Sequence, residues 1–204
     1  MKRFLGVVTF LFSFLLVFPA WSMMEPDRLV DKTVQEVLEI IGKDEKIGDD
    51  KERMLDLIET KILPHFNFTR MTQLAMGKHW SSAEPKQQDV LVNEFRTLLV
   101  RTYSNALTTY RDEKVTVNPV RELGDKVDAT VRTIINQGSG REPVPIDYSM
   151  EKGSDGWKVY DVTVAGVSLV TNYRGSFNSQ IRRGGVEGLI KALSDKNRSL
   201  EGKE

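Results

Sequence analysis

The chain of 204 residues has no cysteine and only two histidines, His65 and His79. Without cysteine there can be no disulfide, no thiolate metal site, no cysteine nucleophile and no lipidated N-terminal cysteine. The histidines do not stand at the spacing of a metal pair on a helix or strand, so a zinc site would need several carboxylates to converge. An excess of one charge is missing too. Lys and Arg number 29 against 29 Asp and Glu, which leaves no basic footprint for a nucleic acid. Long apolar runs are absent after the first eighteen residues, so nothing later in the chain can cross a membrane as a helix.

What is there begins with those eighteen residues. Lys2 and Arg3 form a basic start, Phe4 to Phe18 is nearly all apolar, and Ala20-Trp21-Ser22 supplies small residues around a peptidase site. This predicts a secretory signal over residues 1–22, cleaved to leave a soluble exported chain. The apolar run is too short for a spanning helix. Removing Lys2 and Arg3 takes the basic count from 29 to 27 against 29 acidic residues, a net charge of −2. Residues 23–204 suffice for one domain standing on its core alone.

That domain reads as helical over 23–113, a sheet over 114–166 and helices again over 167–204. Val30, Val34, Val37, Leu38 and Ile41 recur on one helix face. A second helix spans Asp49 to Leu63, with Asp49 and Glu52 at capping-box spacing and Pro64 ending it. Asn67 caps a short helix, Phe68 to Met76, closed by Gly77. The longest helix starts at Pro85 and reaches Asp112, carrying Leu91, Phe95, Leu98, Leu99, Tyr103, Ala106, Leu107 and Tyr110 on its apolar side. Four strands follow: Lys114 to Arg121, Lys126 to Gln137, Glu142 to Glu151 and Gly156 to Val164. Short turns between them predict an antiparallel meander. Pro143 and Pro145 place the third strand at an edge, or delay its entry into pairing. The fold class is therefore α+β: a curved four-stranded antiparallel sheet whose apolar face is covered by helices. Ser168 to Arg182 and Val186 to Leu193 close the fold, and Ser194 to Glu204 reads as a polar tail.

Candidate catalytic features are few. Gly166-Val167-Ser168 sits where a strand runs into a helix, the context of a nucleophile elbow, but position 170 is Val and both histidines lie upstream. Ser168 reads instead as the cap of the following helix. Asp161 in the fourth strand could serve as a general base, and more often such an aspartate is satisfied by a turn amide or an arginine such as Arg174. Gly184-Gly185-Val186-Glu187-Gly188 follows a helix rather than a strand, the wrong setting for a phosphate cradle, and reads as a helix stop and restart. No catalytic residue, metal ligand or cofactor is assigned.

Three stretches together resemble a known family: Ile62 to Trp80 (ILPHFNFTRMTQLAMGKHW), Phe95 to Tyr110 (FRTLLVRTYSNALTTY) and Trp157 to Phe177 (WKVYDVTVAGVSLVTNYRGSF). The likeness is to the MlaC family, periplasmic phospholipid-binding proteins of the Mla lipid-asymmetry ABC-transport system of Gram-negative bacteria, also called toluene-tolerance auxiliary proteins. It rests on the number and order of positions such as Pro64-His65-Phe66, Gly77, Trp80, Asp147-Tyr148, Asp161-Val162 and Tyr173-Arg174. The resemblance implies a non-enzyme that carries glycerophospholipid between an outer-membrane lipoprotein–porin complex and an inner-membrane ABC transporter, with tails buried and head group largely exposed.

Physics says why such a carrier is needed. Two acyl chains hold roughly 30 methylenes, and exposing them at about 0.8 kcal/mol each costs on the order of 25 kcal/mol. Escape over that barrier takes days. A carrier therefore needs an apolar cavity between sheet and helices. The expected lining is Leu99, Tyr103, Val131, Ile146, Tyr148, Val162 and Val164, on the apolar faces of the longest helix and the central strands. Lys78, Arg96, Arg101 and Arg174 are the expected contacts for a docking partner. Two other readings stay open on the residues alone. One is a hydrolase or isomerase in a cone-shaped α+β fold, using Asp161 and a histidine. The other is an adaptor that binds only proteins.

Overall fold

The computed structural model describes residues 24–201, apart from Glu45, Asp49, Tyr110 to Asp112, Glu122 and Ser139 and the side chains of Asn105, Thr108 and Thr109. The expected signal segment, the cap at Asp49 and the expected end of the longest helix at Asp112 lie outside the described residues. Helix α1 runs Pro26–Lys43, with proline in its first turn, where no amide partner is lost. Helix α2 (Lys51–Leu57) is capped by Asp50, whose side chain accepts from the Arg53 amide. It continues as a π-helical turn, Ile58–Ile62, and a 3-10 turn, Leu63–His65. Asn67 caps α3 (Phe68–Met76) as its sequence predicts, and also donates to Glu151 at 2.7 Å. A 3-10 turn, Gly77–Ser82, leads to α4 (Pro85–Thr109).

The sheet has five strands rather than four, in the order β1 to β5, each antiparallel to the next. They are Lys114–Val117, Asp128–Asn136, Val144–Gly153, Gly156–Val164 and Val167–Ser168. β1 stops well short of Arg121 because Pro119 has no amide to give the ladder. β3 is central, so its prolines do not mark an edge; Pro143 delays its pairing until Val144, and Pro145 stands within the ladder, its carbonyl accepting from the Ala165 amide at 2.9 Å. The missed strand β5 follows a two-residue turn in which Ala165 and Gly166 both have positive φ, the geometry of a tight hairpin.

β4 carries a bulge that matters for the site. Ser149 faces Asp161 while Met150 faces Val159, so Tyr160 is the extra residue. One extra residue reverses the side-chain phase. Trp157 and Val159 before the bulge, and Val162 and Val164 after it, thus all share the inner face. Simple alternation would have sent one pair outward.

Helix α5 spans Leu169–Glu201 and breaks at Gly184 and Gly185, the latter at φ 66°. The glycine run is therefore a kink between two arms, as its sequence predicts. The expected polar tail is a correction: residues 194–201 are helical, because Asn197 is buried against α4. Its side-chain amide donates to the Glu94 carbonyl and carboxylate, and its own carbonyl accepts from Arg101 at 2.6 Å.

Buried apolar residues form three clusters, not one. The first joins α3, α4 and α5 around Phe95 and Phe177, whose rings meet edge-on at 5.0 Å. The second ties the C-terminal half of α1 to α2 and the π turn. The third lies on the sheet, where Val131, Met150, Trp157 and Val159 meet Val30 of α1. A domain of this size ordinarily has a single contiguous core.

Candidate functional site

The space between the three clusters is a cavity of about 330 Å³. Each cluster turns residues toward it: Met71 and Leu99 from the first, Val37, Ile41 and Ile58 from the second, Val30, Met150 and Val159 from the third. Helix α1 contributes Leu29, Thr33, Val34 and Leu38 as well, so its apolar stripe faces hollow space for most of its length. The sheet supplies Val115, Thr133, Ile135, Ile146, Tyr148, Val162 and Val164, and α4 adds Val100, Tyr103 and Leu107.

Native interiors hold few voids larger than a water. An engineered apolar cavity of about 150 Å³ stays dry and binds benzene. The cavity is partly open to solvent, so the term for an enclosed void, about 24 cal/mol per Å³, sets an upper bound of about 8 kcal/mol on the cost of leaving 330 Å³ dry. That is as large as the whole stability of many domains. The cavity's shape is thus held at a cost that an apolar occupant would offset.

Polar groups on the wall are few, and most are satisfied within the protein. Thr133 donates to the Ile146 carbonyl at 3.0 Å. Burial pushes the Tyr148 phenol upward, partly offset by its hydrogen bond to Thr133. Tyr103 is 40% exposed, and its hydroxyl meets that of Tyr173. Burial, then Tyr103, pushes the Tyr173 phenol up to about 12. Among the described residues, the one basic group on the wall is His65. Burial pushes its pKa down, and Lys158 and then Lys32 push it further. Beside it, Lys61 reaches across from the π turn to Glu36 of α1 at 2.6 Å and holds that carboxyl below its usual range.

Of the seven lining residues expected from the sequence, the wall contains Leu99, Tyr103, Ile146, Tyr148, Val162 and Val164. Val131 is placed elsewhere. It is fully buried among Val30, Met150, Trp157 and Val159, in solid packing on the same face of the sheet. The wall from α1, the π turn and His65 was missed. Its only sequence signal was the apolar stripe of α1, which reads the same for a filled core.

The four expected docking cations stand in different settings. Arg96 pairs with Glu59 and lies 5.9 Å over the Phe68 ring, beside the cavity wall. Arg101 holds the Asn197 carbonyl and lies 3.4 Å from Glu201. Arg174 donates to the Leu74 carbonyl at 2.9 Å. Lys78 is exposed on the 3-10 turn after α3; its carbonyl accepts from Ser81, and its ammonium has no bonded partner among the described residues.

The corner that invited a hydrolase reading is fully occupied. Ser168 Oγ donates to Asp161 Oδ2 at 2.6 Å and accepts from the Thr171 amide at 3.0 Å. Asp161 Oδ1 accepts from the Val162 and Val170 amides. The pair caps α5 and puts a carboxylate at the positive end of its dipole. Arg174 is not its partner. Among the described residues, no three His, Cys, Asp or Glu side chains stand close enough to hold a metal, and no helix is long and apolar enough to cross a membrane.

Comparison with known proteins agrees with this geometry. The family model described as MlaC protein matches residues 31–195. The intermembrane phospholipid transport system binding protein MlaC of Haemophilus influenzae is 28% identical over 201 residues, covering 95% of this chain and 92% of that protein. The toluene tolerance protein ttg2D of Pseudomonas putida is 24% identical over 163 residues, covering 78% and 74%. A phospholipid-binding protein from Ralstonia solanacearum, solved in complex with a phospholipid, superposes with a TM-score of 0.81 at 37% identity. It covers 87% of this chain and 99% of its own.

Proposed function

This chain belongs to the MlaC family, and from that premise we propose that it is a periplasmic carrier of glycerophospholipid between two membranes. The observation that carries the reading is the cavity. It is apolar, far larger than a packing defect, and walled by every layer of the fold. Acyl chains are the occupants whose burial offsets its cost. The relatives named for phospholipid binding and transport support the same ligand. The protein acts as a carrier and not an enzyme, since the serine and aspartate that suggested hydrolysis are spent on capping α5. The basic start and apolar run of residues 1–22, read as an export signal, support a periplasmic location.

Delivery follows from the barrier to free release. The lipid passes between two apolar sites while a membrane-bound partner covers the opening, an inner-membrane transporter at one end of the route and an outer-membrane complex at the other. Lys78, Arg96, Arg101 and Arg174 are the proposed contacts. Lys78 is the most available of them, because the other three already hold partners within the chain.

Native mass spectrometry of protein purified from bacterial periplasm tests the ligand. A co-purifying mass near that of a phospholipid is expected. An empty protein that turns over a soluble ester would replace the carrier reading with the hydrolase. For delivery, charge reversal at Lys78 should slow transfer to the purified transporter and leave bound lipid unchanged. Rapid transfer to protein-free liposomes would sink the docked mechanism.

A further inference from the structure

A phospholipid is apolar for most of its length and then abruptly anionic. Its phosphate cannot be drawn along an apolar wall without losing its hydration. It must come to rest where that wall meets charge. The wall has one such corner on the described residues.

His65 is the only basic residue among the described residues that line the cavity. Two cations act on it directly, Lys32 on α1 and Lys158 on β4, and a third, Lys61 on the π turn, joins the corner through Glu36, which faces both Lys61 and His65. Two carboxylates oppose them. Glu36 pairs with Lys61 at 2.6 Å, and Asp155 with Lys158 at 3.0 Å. Lys158 also donates to the Pro64 carbonyl at 2.7 Å, which holds its ammonium beside the turn that carries His65. Lys32 has no hydrogen-bonded or ion-paired partner among the described residues. Three lysines against two carboxylates leave this corner positive. The same field acts on His65, since Lys158 and Lys32 both oppose its protonation. Among the described lining residues none is an aspartate, glutamate, lysine or arginine, and Arg96 near Phe68 is balanced by Glu59.

We propose that the His65 corner, with Lys32, Lys61 and Lys158, is a subsite for the anionic phosphate diester of the lipid whose chains fill the cavity. The inference rests on the carrier reading and adds to it where the head group sits and what chemistry selects it. Lysines suit the task as mobile point charges that can close on a phosphate at a partly exposed site. Both ion pairs there span different elements or a turn, so a phosphate can share Lys61 and Lys158 with their carboxylates. Lys32 is the cation with most to gain.

The test uses the full mature chain, stripped of lipid and then loaded with phosphatidylglycerol or with a diacylglycerol of the same chains. The two histidines are followed by side-chain NMR through a pH titration, with His79, which does not line the cavity, as internal reference. Phosphatidylglycerol should raise the His65 pKa above its lipid-free value, because an anion arrives beside it. Diacylglycerol should lower it, because chains displace water and bring no charge. Inorganic phosphate alone should leave it unmoved; a rise would mean that the corner takes phosphate from solution, overturning the lipid assignment. Lys32→Glu should weaken retention of phosphatidylglycerol about fivefold and spare diacylglycerol. If both lipids enter and His65 responds alike, or Lys32→Glu weakens both equally, only the phosphate site is overturned. If neither lipid enters, the carrier reading fails and the subsite with it.

Discussion

Two positions on one face of the sheet separate hollow space from solid packing. Ile146 on β3 lines the cavity, and Val131 on β2 is fully buried in the sheet cluster. Each is to be replaced by phenylalanine in lipid-free protein. Ile146→Phe adds three carbons to empty space. At about 0.8 kcal/mol per buried carbon the gain is at most about 2 kcal/mol. Val131→Phe adds four carbons where Val30, Met150, Trp157 and Val159 already fill the volume, and overpacking there costs about 1–3 kcal/mol. The two variants should differ by about 4 kcal/mol. For a domain of this size a kilocalorie moves the melting temperature by about 2–4 °C, so calorimetry should find them about 10 °C apart, with Ile146→Phe at or above wild type. The order should reverse in lipid retention. The new ring takes the place of about three methylenes of ligand, which weakens binding about fifty-fold. Val131→Phe should retain lipid if it folds. Equal destabilisation of the lipid-free protein by both substitutions would refute the reasoning, because it would mean that the space beside Ile146 is already filled.

Ser168→Ala should lower stability by about 1 kcal/mol through loss of the α5 cap and leave lipid uptake intact, measured by denaturant unfolding and lipid content. Asn197→Ala removes the donor to Glu94 and should cost about 1–3 kcal/mol, read as a lower denaturant midpoint with an unchanged slope. The pKa of His65 is lowered in the fold, so the unfolded chain binds the proton first as pH falls. The lipid-free protein should keep full stability above pH 6.5 and lose it on acidification toward the folded pKa. In His65→Gln that part of the pH dependence should vanish, and melting curves across this range check it. Glu36 has the depressed carboxylate pattern, its stabilising pair with Lys61 being present above its ordinary pKa near 4.5 and lost below it. Glu36→Gln should therefore flatten the acid limb of stability, read from melting curves of the lipid-free protein below pH 4.5.

Much of the architecture was legible in the residues alone. The stripe of α1, the Asn67 cap, the meander, the glycine kink in α5 and the capping role of Ser168 all follow from local rules. Capping, turn formation and amphipathic periodicity depend on neighbours within a few positions of the chain. Six of the seven expected wall residues also stand on the wall, because apolar faces must turn inward whatever lies there. What those faces meet was not legible. Val131 and Ile146 share a face and an apolar character, yet one meets packed side chains and the other empty space. The same valines and leucines serve a filled core and a hollow one, so only the tertiary packing, which ties the start of α1 to the sheet and its C-terminal half to α2 and the π turn, opens the cavity. The β4 bulge is likewise a decision of the sheet: Tyr160 reads as an ordinary strand residue, and its extra place appears only once β3 sets the register. The charged corner at His65 is the clearest case. Lys32, Lys61 and Lys158 are far apart in sequence and unremarkable singly, and they meet because three elements converge on one end of a cavity.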